Sequence, residues 1–243
     1  APGAQFVCAF LLAVRHVSEG ITSIVPTMDT LVPNTTLTPL LYDSHFTPTL
    51  SIAGYREARG HGAHALVTGR SSITEYMGTL GALDRLPICS YWGTDPAFAN
   101  KLRFPYLSRT IPSTAQAAAA MPGMLRSFGW NAIGVIALND PYASGFAAEL
   151  RESAATAGLG IVVSTSYDEL DTSSYVVALR ALCEAQVNIF VHIGLFFSAP
   201  GLFDQAQTLG LTGSNYVWIN SEYVTWGDVL RLSADQARSA GIM

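Results

Sequence analysis

Short apolar runs alternate with segments of helical periodicity through most of the chain, most clearly from residue 133 onward. In this half, β-branched and aliphatic stretches precede segments whose apolar positions recur every three to four residues. The pattern predicts strands at 133–138, 161–167, 187–193 and 216–220, with helices at 144–157, 173–185 and 199–209 between them. Strands that alternate with amphipathic helices indicate an α/β fold with doubly wound parallel sheets.

The first half of the chain has the same alternation but more loop. The predicted helices are 5–19, 48–60, the segment between the strands 65–68 and 87–91, and an alanine-rich helix at 113–128, kinked or split at Pro122; further strands are predicted at 37–42 and 106–110. The irregular run before residue 113 divides the chain into two lobes, 1–112 and 113–237. Residues 238–243 are predicted to begin a return to the first lobe and to end as a truncation.

Hydroxyl side chains follow two consecutive strands of the first half. Ser71 and Ser72 come after the strand 65–68, and Thr94 comes after the strand 87–91. Because parallel strands end at the same edge of a sheet, these residues are predicted to face one crevice, where helix N-termini suit a carboxylate. Helix capping is the alternative role for the two serines, and a turn position before Pro96 is the alternative for Thr94.

Composition narrows the classes of partner. The chain has 49% hydrophobic and 13% charged residues and a formal net charge of −5, which excludes a disordered chain. The absence of a Lys/Arg cluster argues against nucleic acid as a partner. The longest apolar stretch, 187–203, is interrupted and too short to predict a membrane span. Three cysteines in apolar runs predict small buried side chains rather than a disulfide framework or a zinc site.

The sequence carries no recognisable catalytic motif. It has no phosphate loop with a Gly-Lys pair, no dinucleotide fingerprint after a strand, and no nucleophile elbow. His61 and His64 are separated by Gly62 and predict exposed loop residues rather than a metal site. His192 in an apolar strand predicts a hydrogen-bonded core residue, and a position facing the crevice at the strand end is the alternative. We therefore expect no enzymatic activity, no cofactor and no metal.

Several stretches, in the same order, resemble one family of α/β proteins. They are LTPLLYDS, ALVTGRSS, LPICSYWGTDPAFA and the crossover from YLSRT to NDPYASG. The chain resembles the type I periplasmic-binding-protein fold in its receptor form, as in natriuretic-peptide and class C receptors and branched-chain amino-acid binding proteins. The resemblance implies an internal fragment of such a receptor, incomplete at both ends.

The resemblance also implies roles for individual residues. Ser71 or Ser72 would hold a ligand carboxylate with backbone N–H groups, and Thr94 would hold the carboxylate or the ammonium group. Tyr142, expected in a loop, would close over the ligand, and Glu222 would pair with the ammonium group. A half-buried loop aromatic and a solvated glutamate are the respective alternatives. Trp92 departs from the family, which usually has a small residue there, and is expected to fill part of the crevice.

The function implied by the resemblance is an extracellular or cell-surface sensor domain that closes two lobes on a small, amino-acid-like molecule. A dimer or larger assembly and membrane-linked regions outside this chain are implied with it. Asn34 begins a glycosylation sequon, which matters if the chain is secreted. The alternative function, favoured by Trp92, is a ligand-free structural or assembly module with the same fold. A hydrolase or transferase is a third possibility, for which the sequence offers no nucleophile–base pair.

Overall fold

The computed structural model describes residues 2–24, 26, 27, 33 and 35–222. The chain divides after Ala63 into two compact units, which are described separately.

The described residues of the first unit form two helices, α1 at Pro2–Ser18 and α2 at Pro48–Gly60, as the periodicity predicts. Helix α2 begins after Thr47, whose side chain accepts a hydrogen bond from the backbone N–H of Leu50, 3.4 Å away. The prediction of a strand at 37–42 is wrong. A strand requires ladder hydrogen bonds, whereas the Leu37 N–H donates to the Ser18 side chain at 3.0 Å and no strand is assigned in the described part of this unit.

Residues 64–222, the described part of the second unit, form two parallel sheets. The first has the order β1-β2-β3 and the second has the order β5-β4-β6-β7. The strands are β1 Leu66–Thr68, β2 Ile88–Ser90, β3 Leu107–Arg109, β4 Ala132–Leu138, β5 Gly160–Tyr167, β6 Ile189–Ile193 and β7 Val217–Asn220. The helices are α3 Ser71–Asp84, α4 Ala115–Ser127, α5 Pro141–Ala157, α6 Thr172–Glu184 and α7 Ala199–Thr208, with a 3-10 turn at Pro96–Ala99. The predicted α/β class with parallel sheets is confirmed.

Strand order places a topological switch in the second sheet. The chain leaves β4 toward β5 on one side, whereas it leaves β6 toward β7 on the other. Connections that diverge in this way open a crevice at the carboxyl ends of the two central strands, where ligands bind in doubly wound proteins. The segments after β4 and β6 therefore border this crevice.

The largest buried core covers the second sheet. Residues 133–138 of β4 are all buried, as expected for a central parallel strand covered on both faces. Strand β5, at the sheet edge, alternates exposed and part-buried positions over most of its length. Trp218 and Phe190 pack together in this core, with ring centroids 4.7 Å apart.

Three local expectations are corrected. Helix α5 begins at Pro141 and not at residue 144, because Asp140 caps it by accepting the backbone N–H of Ala143 at 2.8 Å. Helix α4 is not split at Pro122, which lies on the helix face buried against the core, and that burial offsets the lost backbone hydrogen bond. The cysteines are not buried: Cys8 and Cys183 are exposed and Cys89 is part-buried.

The predicted lobe boundary at residue 112 stays a prediction. The first sheet ends with Arg109 and the second begins with Ala132. Residues 223–243, which include the predicted return segment 238–243, lie outside the described residues.

Gly81 provides a test of the packing between α3 and the first sheet. A Cβ at this position would lie 2.5 Å from Ile88 Cγ1 and 2.8 Å from the Leu86 carbonyl oxygen. We expect Gly81→Ala to lower the free energy of unfolding by about 1–3 kcal/mol, as overpacking does, measured by chemical denaturation.

The matched control is Gly123→Ala in α4, where a Cβ meets no atom within 4 Å. This change should raise the free energy of unfolding by about 0.4–1 kcal/mol, because alanine lowers the conformational entropy of the unfolded chain. Equal effects at both sites would contradict the described contact of α3 with β2.

Candidate functional site

The turns after β1 and β2 are fastened to each other by Ser71. Thr68 pairs with Ser90 at the ends of these strands, so the residues that follow lie side by side. The Ser71 hydroxyl oxygen accepts the backbone N–H groups of Thr94 at 3.1 Å and Asp95 at 3.3 Å. Ser71 is nearly fully buried. The prediction that these two turns are neighbours therefore describes their geometry correctly.

A second set of polar contacts fixes the turn that carries Thr94. Ser90 Oγ accepts the backbone N–H of Gly93 at 2.8 Å and lies 2.9 Å from the Thr74 hydroxyl. A Cβ at position 93 would lie 2.6 Å from Ser90 Oγ, so the close approach of this backbone requires glycine. The turn is rigid on the side of α3.

The opposite side is built from the residues after β4 and β7. Tyr142 lies in the first turn of α5, not in a loop as predicted, and is 2% exposed. Its hydroxyl donates to Ser221 Oγ at 2.7 Å. Burial raises the pKa of Tyr142, so the phenol stays protonated at neutral pH. The contact with Ser221 holds the start of α5 beside the chain that continues to Glu222.

His192 supports this side from within the core. Its Nε2 lies 2.7 Å from the Tyr167 hydroxyl, and its Nδ1 lies 2.8 Å from Asn220 Oδ1. Burial lowers the pKa of His192 to about 4, so the imidazole is neutral at physiological pH. The prediction of a hydrogen-bonded core histidine is confirmed.

Arg70 connects the two sides and was missed by the sequence analysis. It lies in the turn after β1, and its Nη2 is 2.5 Å from Glu169 Oε2 and 3.7 Å from Asp140 Oδ2. Its guanidinium also lies over the ring of Phe197, 5.3 Å from the centroid. The side chains of Arg70 and Asp140 are 8% and 6% exposed. A lone arginine between a glycine and paired serines was the available signal, but its partners are distant in sequence.

Two buried atoms of this ion pair lack a hydrogen-bond partner: Arg70 Nε and Asp140 Oδ2. Burial raises the pKa of Asp140, while the Ala143 N–H and the Arg70 guanidinium oppose that shift. The two charged groups thus lie close together, but one nitrogen of Arg70 and one oxygen of Asp140 make no hydrogen bond.

Side chains from both sides line one depression of about 170 Å³, part of which is open to solvent. The residues lining it are Arg70, Ser71, Trp92, Thr94, Tyr142, Leu195 and Glu222. Four of the five predicted ligand contacts are thereby brought together; Ser72, which is part-buried in α3, is not among them. Asn34 lies outside the described residues. The part of this depression that the side chains enclose is too small to hold a water molecule.

Glu222 and Trp92 face each other in this depression. Burial raises the pKa of Glu222 to about 7, although hydrogen bonds from the Trp92 indole and the Phe196 backbone N–H oppose the shift. Trp92 also stacks on Phe196, with ring centroids 6.2 Å apart. The expectation that Trp92 fills part of the crevice agrees with this geometry.

The depression thus has complementary sides. The hydroxyl groups of Ser71 and Thr94 can donate to an anionic oxygen, whereas Glu222 on the other side suits a cation. Over the described residues, no group of three or more potential metal ligands occurs. Nor does any helix within those residues have the length and apolar character needed to cross a bilayer.

Comparison with known proteins finds matches among receptors. Residues 9–241 match the family described as the receptor family ligand binding region. The chain is 26% identical over 172 residues to G-protein coupled receptor family C group 6 member A of Homo sapiens, which covers 68% of this chain and 18% of the receptor.

Two further relatives are also named as receptors. Gamma-aminobutyric acid type B receptor subunit 1 of Caenorhabditis elegans is 28% identical over 164 residues, covering 66% of this chain and 17% of that subunit. The extracellular calcium-sensing receptor of Homo sapiens is 28% identical over 158 residues, covering 63% of this chain and 14% of that receptor. The chain thus spans less than a fifth of the length of these curated relatives.

The Arg70 ion pair gives a stability prediction. Arg70→Met removes the cationic partner that Asp140 and Glu169 share and leaves a buried carboxylate uncompensated. We expect a loss of about 3–5 kcal/mol in the free energy of unfolding, as when one partner of a buried pair is removed.

Arg103→Met is the matched control, because the ion pair of Arg103 with Glu75 is far more exposed. It should cost less than about 1 kcal/mol. Urea denaturation of the two variants measures the difference, and a loss for Arg70→Met no larger than for Arg103→Met would contradict the role assigned to Arg70.

Proposed function

Because the chain belongs to the family of receptor ligand-binding regions, we propose that it binds a small zwitterion of the α-amino-acid class in the depression described above. The binding region lies outside the cell in this proposal, and ligand binding is signalled by closure of two lobes, 1–112 and 113–237, with 238–243 returning to the first. The proposal assigns the chain no catalytic step.

The observation that carries the proposal is the pairing of unlike groups across one depression. Ser71 and Thr94 offer hydroxyl donors from the first sheet, since the Thr94 backbone N–H already donates to Ser71 Oγ, and Glu222 offers a carboxylate from the second. A ligand carboxylate would bind the former and its ammonium group the latter. Tyr142 forms the wall beside Glu222, whereas Ser72, which does not line the depression, makes no ligand contact in this proposal.

Closure follows from a ligand that contacts both sides. Such a ligand stabilises the closed state by the difference between its affinities for the closed and open states, and by nothing else. The chain makes some of these cross-contacts itself, through Arg70 and Trp92. The ligand therefore adds to a closure that is already partly stabilised.

The rest of the receptor belongs to the proposal as well. The chain spans less than a fifth of the length of its curated relatives, one of which is named as a subunit. We propose that this chain acts within a larger, membrane-linked protein that assembles as a dimer or higher oligomer, where lobe movement is passed on. A glycan at Asn34 is consistent with an extracellular location.

One observation favours a second candidate, a ligand-free assembly module. The side chains of the depression enclose no room for a water-sized molecule, and the Trp92 indole N–H already donates a hydrogen bond to Glu222. Failure of every amino acid to bind would support this second function.

The zwitterion proposal is tested by isothermal titration of the chain with α-amino acids and with the matching α-hydroxy acids, which lack the ammonium group. Glu222→Gln should weaken amino-acid binding by roughly 10- to 100-fold, because a charge-assisted hydrogen bond is lost. Binding of the hydroxy acids should not change.

Glu184→Gln serves as the control for loss of a carboxylate, because Glu184 is exposed at the end of α6. It should leave both titrations unaltered. Equal weakening of amino and hydroxy acids by Glu222→Gln would exclude an ammonium contact at this residue.

The pKa of Glu222 predicts the pH dependence of binding. With a pKa of about 7, Glu222 is mostly protonated at pH 6 and mostly ionised at pH 8. Since only the ionised form pairs with an ammonium group, amino-acid affinity should fall by roughly tenfold between pH 8 and pH 6.

Asp140 and Arg70 also act on the Glu222 charge, in opposite directions. Glu222→Gln therefore isolates the contribution of Glu222, and titrations of this variant should be nearly flat over the same range. An unchanged pH slope in the variant would assign the dependence to another group.

A further inference from the structure

We propose that Trp92 determines ligand size at this site, restricting it to the smallest α-amino acids, because its indole fills the space beside Glu222 and competes with the ligand for that carboxylate. This inference rests on the proposed function and extends it to the class of ligand.

The first observation is the contact of Trp92 with the opposite side of the depression. Trp92 follows β2 of the first sheet, yet it packs against the core of the second sheet and stacks on Phe196. A side chain that spans the gap in this way occupies the volume that a ligand side chain would need.

The second observation is that Glu222 already has two donors. The indole N–H of Trp92 and the backbone N–H of Phe196 both donate to it. The Phe196 donor is fixed by the chain, whereas the indole can withdraw by rotation of its side chain. An arriving ammonium group, a charged donor, therefore displaces Trp92 from Glu222.

The third observation is that the other walls are held in place. Tyr142 is bound to Ser221, Arg70 is bound to Glu169, and Leu195 is 2% exposed within the core. Trp92 is only part-buried. Because the remaining space holds no water-sized molecule, a ligand fits only into the volume that the indole vacates.

An indole that leaves Glu222 but stays against Phe196 vacates only a small volume, which suits an amino acid with little or no side chain. Glycine and L-alanine present the ammonium and carboxylate groups with at most one methyl group. L-phenylalanine would require the indole to leave its stacking position against Phe196 altogether. The structure thus assigns selection against large side chains to one residue.

The test is isothermal titration of the 243-residue chain with glycine, L-alanine and L-phenylalanine. The wild type should bind glycine at least about 100-fold more tightly than L-phenylalanine, within the range that pocket size can impose. Trp92→Ala should reduce this ratio by at least about tenfold. Trp92→Phe, which removes the competing N–H but keeps a ring, should tighten glycine binding and leave most of the size preference.

Trp130→Phe is the matched control, because the Trp130 ring packs at a tilt against Phe128 after α4 and does not line the depression. It should change neither the affinities nor their ratio. If Trp92→Ala does not fold cooperatively, Trp92→Leu replaces it, with the same reduction of the ratio expected.

The outcomes separate the two proposals. Glycine binding with an unchanged ratio in the folded Trp92 variants would overturn the role of Trp92 and leave the proposed function intact. Lack of binding of all three amino acids to the wild type and to every variant would overturn the proposed function, and the inference with it.

Discussion

The contact between the Arg70 guanidinium and the carboxylates of Asp140 and Glu169 is the constraint on which the geometry of the depression depends. Arg70 follows the first strand of the first sheet, whereas both acids belong to loops of the second. Desolvating a guanidinium is costly unless its charge is matched nearby. Once Arg70 is buried, the two acids must therefore lie within a few ångströms of it. Trp92, in the next turn along the sheet, is brought to Glu222 by the same approach.

A second close approach acts in the same direction. Gly145 in α5 lies so near the 3-10 turn at 96–99 that a Cβ there would be 2.7 Å from Asp95 Oδ1. Arg109 holds this region from the other side by donating to the Asp95 carbonyl oxygen at 2.9 Å. Backbone packing and ion pairing thus reinforce each other. These contacts within the chain hold the two sheets together without any ligand.

Much of the fold could be predicted from the sequence, because the strands and helices of the second sheet follow from local periodicity. Positions 133–138 are apolar without interruption, and the structure makes them the central strand. The juxtaposition of Ser71 and Thr94 also followed from a local rule, that parallel strands end at one edge.

Arg70 could not be found in this way, because Glu169 is 99 residues away in sequence. The strand predicted at 37–42 failed for a related reason: extended residues become a strand only through a partner.

Tyr142 shows how a small error in an element boundary changes a functional interpretation. Placed in a loop, its ring would be free to close over a ligand; placed in the first turn of α5 and bound to Ser221, it is part of a fixed wall. The capping of α5 by Asp140 decides between the two, and the same Asp140 faces Arg70. One carboxylate therefore both starts the helix and meets the guanidinium that joins the sheets. Because Tyr142 is fixed by this arrangement, the proposed binding of a ligand assigns the adjustment to the part-buried Trp92 on the opposite side.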